Sequence, residues 1–172
     1  MSPADRQPPV SVRRATPEDA EGIVAIWQEI VAERSYSAVD VPFGIDEERV
    51  YIRSLSSREG IFVALNAAGH VVGFQSLDQW TKLFRSMDHV GQLGTFVARE
   101  WRGCGVGTGL AKCTFDHARA NGFEKLVIYV RAGNTGAQTF YASLGFVPCG
   151  HLRQQVKIAG EYDDEILMEL QL

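Results

Sequence analysis

The sequence predicts an α/β fold in which one mixed sheet carries helices on both faces. Strand-like and helix-like segments follow one another in the order β-α-α-β-β-β-α-β-α-β-β. The stretch Leu126–Val130 is continuously apolar and rich in β-branched residues, as expected of a strand covered on both sides. The scale fits as well: 172 residues, 45% of them hydrophobic, suffice for one domain with a real core and are too few for two comfortable ones.

Taken in order, Val10–Arg14 reads as an opening strand. Thr16-Pro17-Glu18-Asp19 is a helix start, with a hydroxyl cap, proline at the first position and acids in the first turn. Ala20, Ile23, Val24, Trp27, Ile30 and Val31 then keep the spacing of one buried helical face. A second helix is expected over Asp46–Ser56, with Val50, Ile52 and Leu55 inward. Strands Ile61–Leu65 and Val71–Leu77 are joined by Asn66-Ala67-Ala68-Gly69, which has hairpin chemistry. Thr81–Asp88 is a polar loop. Val90–Ala98 is a strand interrupted by Gly91 and Gly94, and glycine inside a strand marks a bulge or a close backbone approach. Val106, Leu110 and Cys113 share a face of a helix reaching about Ala120, which Asn121-Gly122 stops. After Leu126–Val130, Asn134 caps a helix ending at Leu144-Gly145. Phe146–Cys149, Gln154–Ile158 and Glu165–Leu170 close the sheet. The acidic stretch Glu161, Asp163, Asp164 and Glu165 reads as a solvated hairpin turn. Residues 1–9 are polar and proline-bearing and read as a disordered tail, leaving residues 10–172 as a single domain.

Composition narrows the function. The run Ile61–Leu65 is far shorter than the roughly 18 residues a membrane span requires. The net charge is −4 with no basic run, so neither nucleic acid nor a membrane is an expected partner. Cys104, Cys113 and Cys149 are odd in number and lack CxxC spacing, which suits reduced thiols in the cytoplasm and no metal site.

Arg102-Gly103-Cys104-Gly105-Val106-Gly107-Thr108-Gly109 lies between a strand and a helix. Helix-start amides lack intrahelical partners, the helix dipole favours an anion, and glycines let a phosphate reach the backbone. No lysine follows as a P-loop requires, and a GxGxxG reading fails from either starting glycine. A turn that merely allows tight packing stays open from this segment alone, and Gly109 reads as a packing glycine.

Leu93-Gly94-Thr95-Phe96-Val97 followed by Arg102-x-x-Gly105-x-Gly107 resembles the acetyl-CoA-binding motif of the GNAT (Gcn5-related) N-acetyltransferases. Asn134-x-x-Ala137-x-x-Phe140-Tyr141-x-x-Leu144-Gly145-Phe146 is similar to that family's second segment. The resemblance spans about Val10 to Leu170. It implies a mostly antiparallel sheet of six or seven strands, splayed between the Val90–Ala98 and Leu126–Val130 strands where acetyl-CoA lies. Gly91 and Gly94 would ease that splaying. It further implies that the main chain of Phe96 and Val97 bonds the pantetheine, and that the amides of Arg102, Gly103, Cys104, Gly105, Val106, Gly107 and Thr108 hold the pyrophosphate. Asn134 and Ala137 would line the cofactor, and the family often forms homodimers.

Asn134 and Tyr141 are seven residues apart and share a helical face. Tyr141 is the candidate catalytic residue, protonating the thiolate as an amine attacks the thioester directly, with no metal involved; a plain core-edge tyrosine is the alternative. In look the chain is nearest to the phosphinothricin and amino-acid N-acetyltransferases, which commonly carry a glutamate where Gln92 stands. An amide takes up no proton, so the base lies elsewhere, among Glu29, Glu33, Asp78, Asp88 and His89, or solvent serves. Arg99 and Arg102 either meet cofactor phosphates or are solvated. Tyr36, Phe43, Trp80, Phe84, Arg85 and Tyr162 are candidates for the acceptor pocket. The expected reaction is acetyl transfer from acetyl-CoA to a small primary amine, an amino acid or an analogue. Alternatives are acetylation of a protein N-terminus and a non-catalytic acyl-CoA-binding module.

Overall fold

The computed structural model describes residues 10–172; the expected tail, residues 1–9, lies outside the described residues. Seven strands form one sheet in the order β1-β2-β3-β4-β5-β7-β6. These are β1 (Ser11–Arg14), β2 (Gly60–Leu65), β3 (Val71–Gln79), β4 (Val90–Val97), β5 (Lys125–Arg131), β6 (Val147–Ile158) and β7 (Glu161–Gln171). Only the β4–β5 pairing is parallel, so the sheet is mixed and mostly antiparallel, as expected.

The helices divide between the faces because the pleat sends alternate side chains to opposite sides. On one face α1 (Ala20–Glu33) sets Ile23, Ile26, Trp27 and Ile30 against Ile61, Val63 and Phe74. On the other, α3 (Val106–Ala120) and α4 (Thr135–Ser143) cover Phe62, Ala64, Leu77, Leu93, Leu126 and Ile128.

Four local expectations are corrected. In α2 (Ile45–Ser54) Val50 points outward and is 63% exposed, while Glu48 is buried at 4%. A ten-residue helix with few apolar side chains does not declare its inner face by hydrophobicity. Second, the closing segments from Val147 to Ile158 are one strand, not two. Gln154 takes a left-handed φ of 51° and its N–H donates to Asp164 Oδ1 at 2.7 Å, which fastens an irregularity within β6. Third, the hairpin turn falls at Ala159-Gly160, so the acidic stretch lies in β7. There Arg131 donates to Asp163, His151 Nε2 lies 2.7 Å from Asp164, and Glu165 is buried.

The fourth concerns Gly91. It sits inside the paired part of β4, opposite Leu126. A Cβ there would come within 2.8 Å of Leu77, 3.0 Å of Leu126 and 3.2 Å of Phe123. Gly91 thus permits close packing where the strands touch and does not part them. Gly109 reverses the same distinction, since its nearest neighbour would be an ordinary 3.6 Å away. Gly91→Ala should destabilise the protein by about 1–3 kcal/mol through overpacking, read from urea denaturation.

Candidate active site

β4 and β5 pair only from Val90↔Lys125 to Gln92↔Val127. Beyond that, β5 continues to pair with β7 as far as Arg131↔Glu165, while β4 continues to pair with β3 as far as Val97↔Gly73. The two strands part, and a cavity of about 1300 Å³ opens along the gap.

The β3–β4 register decides which main-chain groups face the gap. Trp80 N–H donates to Val90 O and Ala98 N–H to Val72 O, both at 3.0 Å. In an antiparallel ladder such pairs alternate, so Gln92, Gly94 and Phe96 turn their N–H and C=O toward β3. Leu93, Thr95 and Val97 turn theirs toward the gap. The Phe96 carbonyl accordingly lies 3.2 Å from where a Cβ on Gly73 would stand. This corrects the expectation for Phe96: its main chain is committed to the sheet, and its ring packs on Trp27 with centroids 4.2 Å apart. The main-chain groups of Thr95, like those of Val97, face the gap, and the Val97 carbonyl accepts from Arg102 Nε at 2.9 Å.

At one end of the cavity stands the start of α3. Gly103 and Gly105 adopt left-handed φ values of 73° and 78°, which glycine reaches without steric cost. Gly103, Gly105, Val106, Gly107 and Thr108 line the cavity; Cys104 does not, and its Sγ lies 3.6 Å from the Arg102 carbonyl. The Arg102 guanidinium is tied down as well. Nη1 and Nη2 donate to the two oxygens of Glu33 at 3.1 and 2.8 Å. Burial alone would raise the Glu33 carboxyl, but the bonds from Arg102 and Arg99 outweigh it and hold it below the usual range. Arg102 therefore braces the loop against α1, and what the loop offers an anion is its amides. Asn134 caps α4 by accepting from Ala137 N–H at 3.0 Å, and both line the cavity.

Tyr141 reaches the gap from α4. It is buried, and its Oη lies 2.7 Å from Thr95 Oγ1. Burial pushes the phenol up to about 12, against the pull of the Thr95 hydroxyl and main chain. Phe140 and Phe146 flank the ring at 5.1 and 5.3 Å.

On the opposite face lies a second set of groups. Asp78 on β3 is the direct cross-strand neighbour of Gln92. Tyr51 of α2 donates to Asp78. Burial is the largest influence on Asp78 and raises its carboxyl despite that bond. Burial pushes Glu48 up to about 7, and the nearby charge of Asp78 adds to the rise. Of the five base candidates, Asp78 alone lines this cavity. Glu48 and Tyr51 were missed; Glu48, Ile52 and Leu55 stand at i, i+4 and i+7, and that stripe was the available signal. Of the expected acceptor residues, Tyr36 and Phe43 line the cavity while Trp80, Phe84, Arg85 and Tyr162 do not. Trp80 acts one layer back, stacked on Tyr129 with centroids 5.7 Å apart.

The sequence matches the Acetyltransferase (GNAT) family over residues 24–146, which includes the parted strand, the amide-rich loop and Tyr141. The chain belongs to that family. It is an acetyl-CoA-dependent N-acetyltransferase. The L-methionine sulfoximine/L-methionine sulfone acetyltransferase of Pseudomonas aeruginosa is 28% identical over 94% of each chain. The peptidyl-lysine N-acetyltransferase YjaB of Escherichia coli is 30% identical over 82% of this chain and 84% of its own. A GNAT superfamily phosphinothricin acetyltransferase from Sinorhizobium meliloti, solved with AcCoA, superposes with a TM-score of 0.87. It covers 95% of this chain and 88% of its own at 20% identity, a likeness of fold. The acetyltransferase has the features acetyl-CoA needs: main-chain groups turned toward an open gap, and a helix start whose left-handed glycines expose amides to an anion.

Proposed function

We propose that this acetyltransferase acetylates the primary amine of a small molecule, an amino acid or an analogue of one, by direct attack on the thioester. The observation that carries the reading is the placement of Tyr141 and the Glu48–Asp78 carboxylates on opposite faces of one gap. A thiolate can be protonated from one side while an ammonium is deprotonated on the other. The amides of Gly103, Gly105, Val106, Gly107 and Thr108 hold the pyrophosphate, and Thr95 and Val97 bond the pantetheine. A main-chain N–H of this row polarises the thioester carbonyl. Tyr141 gives its proton to the departing sulfur. Glu48 takes the proton of the amine, directly or through water, with Asp78 setting its affinity. The Pseudomonas relative, an acetyltransferase of methionine sulfoximine and methionine sulfone, supports the small-molecule class.

The test is CoA release with amino acids, methionine sulfoximine, phosphinothricin and polyamines, beside lysine-containing peptides. Saturable turnover of a free amino acid or analogue is expected. Activity on peptides alone would instead favour the second reading, lysine acetylation, which the Escherichia coli relative motivates. CoA binding by calorimetry with no turnover of any amine would make the protein a binding module.

Because Arg102 braces the loop, Arg102→Gln should raise KM for acetyl-CoA about tenfold and leave kcat nearly unchanged, as read from initial rates. A cytoplasmic setting and a homodimer belong to the same proposal. Cys104, Cys113 and Cys149 are free thiols, which suits a reducing compartment, and sedimentation tests the dimer. No helix of the described residues is long and apolar enough to cross a membrane.

A further inference from the structure

We infer that Gln75 and Thr95 form a hydrogen-bond relay that aims the Tyr141 hydroxyl into the gap, making both of them positioning residues for thiolate protonation. The inference rests on reading Tyr141 as the proton donor. Gln75 on β3 lies directly opposite Thr95 on β4 and is fully buried. Its Nε2 donates to Thr95 Oγ1 at 2.7 Å, and Tyr141 Oη stands 2.7 Å from the same oxygen.

The direction of the chain follows from what each group can do. An amide nitrogen only donates, whereas a hydroxyl has one hydrogen and two acceptor sites. Gln75 fills one acceptor site of Thr95. The contact of Thr95 with Tyr141 Oη is between two hydroxyls, and the relay assigns the hydrogen in that contact to Thr95. With that bond accepted, the phenol's own hydrogen is released to point at a group in the gap. Were Tyr141 to donate to Thr95 instead, both acceptor sites of the threonine oxygen would be filled and the phenol proton would face the sheet rather than the gap.

The amide itself is a costly choice for this position. Gln75 Oε1 is buried and has no hydrogen-bond partner, and burying an unpaired acceptor opposes folding. Leucine would occupy a similar volume without the penalty. A donor is what the position supplies and an apolar side chain would not.

In the step itself the amine nitrogen bonds to the carbonyl carbon, the C–S bond breaks and sulfur keeps its electron pair. The Tyr141 proton passes to sulfur, and the free thiol leaves. The phenolate left in passing is held by the Thr95 hydroxyl. Solvent returns its proton, while the proton lost by the amine leaves through the carboxylates on the other face.

The test uses isosteric variants of the full chain, with CoA binding followed by calorimetry and folding by thermal melts. Thr95→Val should lower kcat about tenfold, the worth of one charge-assisted hydrogen bond, with KM for acetyl-CoA within twofold of the parent. Thr95→Ser should recover most of that loss. Gln75→Glu keeps the shape but, once ionised, only accepts, so it reverses the chain and should also lower kcat about tenfold. In a Tyr141→Phe background Gln75→Glu should cost nothing further, because the hydroxyl it aims is gone. Parental kcat in Thr95→Val and Gln75→Glu overturns the relay, as does a Gln75→Glu loss that multiplies with that of Tyr141→Phe. Should Gln75→Glu fail to fold, the Thr95 pair decides by the same criteria. If Tyr141→Phe itself keeps parental kcat, the donor reading fails and takes the relay with it.

Discussion

Tyr141→Phe is expected to lower kcat by about 10²-fold or more, the usual contribution of a positioned proton donor, while KM for acetyl-CoA changes little. A donor must still hold its proton when it is needed. Burial does this for Tyr141 by pushing the phenol up to about 12, so it stays protonated across the working range. The variant's pH profile should therefore keep the parent's shape at a lower level. A change of shape below about pH 10 would mean that Tyr141 titrates in the reaction, which a group of that affinity does not do. The ring stays packed between Phe140 and Phe146, and the stability loss should be about 1 kcal/mol for the removed hydrogen bond. Steady-state CoA release and thermal melts measure both. A kcat within twofold of the parent would assign Tyr141 to the core alone.

What could be read from the sequence was local. The run from Arg102 to Thr108 announces an anion-binding helix start, because glycine spacing and a strand-to-helix position act within a few residues. Tyr141 and Asn134 share a face by helical arithmetic. Partners set by distant pairing stayed hidden. Arg102 finds Glu33 across 69 residues, so its guanidinium could not be separated from a phosphate ligand by spacing. Phe96 and Thr95 differ in role only through the β3–β4 register, which nothing in Val90–Ala98 itself specifies. Gly91 and Gly94 look alike in the chain, yet Gly91 lies where β4 pairs with β5, enclosed by Leu77, Leu126 and Phe123, while Gly94 lies beyond that pairing, against Phe96 and Ser76. Glu48 was lost to a weakly apolar helix whose buried stripe runs through a glutamate. Asp78 was among the candidates, but its place beside Gln92 is again a matter of register.

Glu48→Gln should give opposite effects on activity and stability. Near neutral pH an alkyl amine is about 99.9% protonated, so a site without a base waits for a rare form of its substrate. With Glu48 raised to about 7, much of it is ready to accept a proton at that pH. Its loss should lower kcat/KM for the amine about 10²-fold at pH 7, with a deficit that narrows toward pH 9 as free amine accumulates. Stability moves the other way. A carboxyl whose affinity is raised by folding leaves stability intact below its unfolded value near 4.5 and subtracts from it as pH rises through about 7. The Gln variant escapes that loss and should melt above the parent at pH 8, with the advantage fading below pH 5. Asp78→Asn separates the two carboxylates. The charge of Asp78 helps raise Glu48, so its removal should move the acid limb of kcat/KM to lower pH. If Glu48→Gln keeps parental kcat/KM, or melts below the parent at pH 8, the base lies elsewhere. A group that costs stability through the very proton affinity its chemistry needs is what selection for activity, and not for folding, would retain.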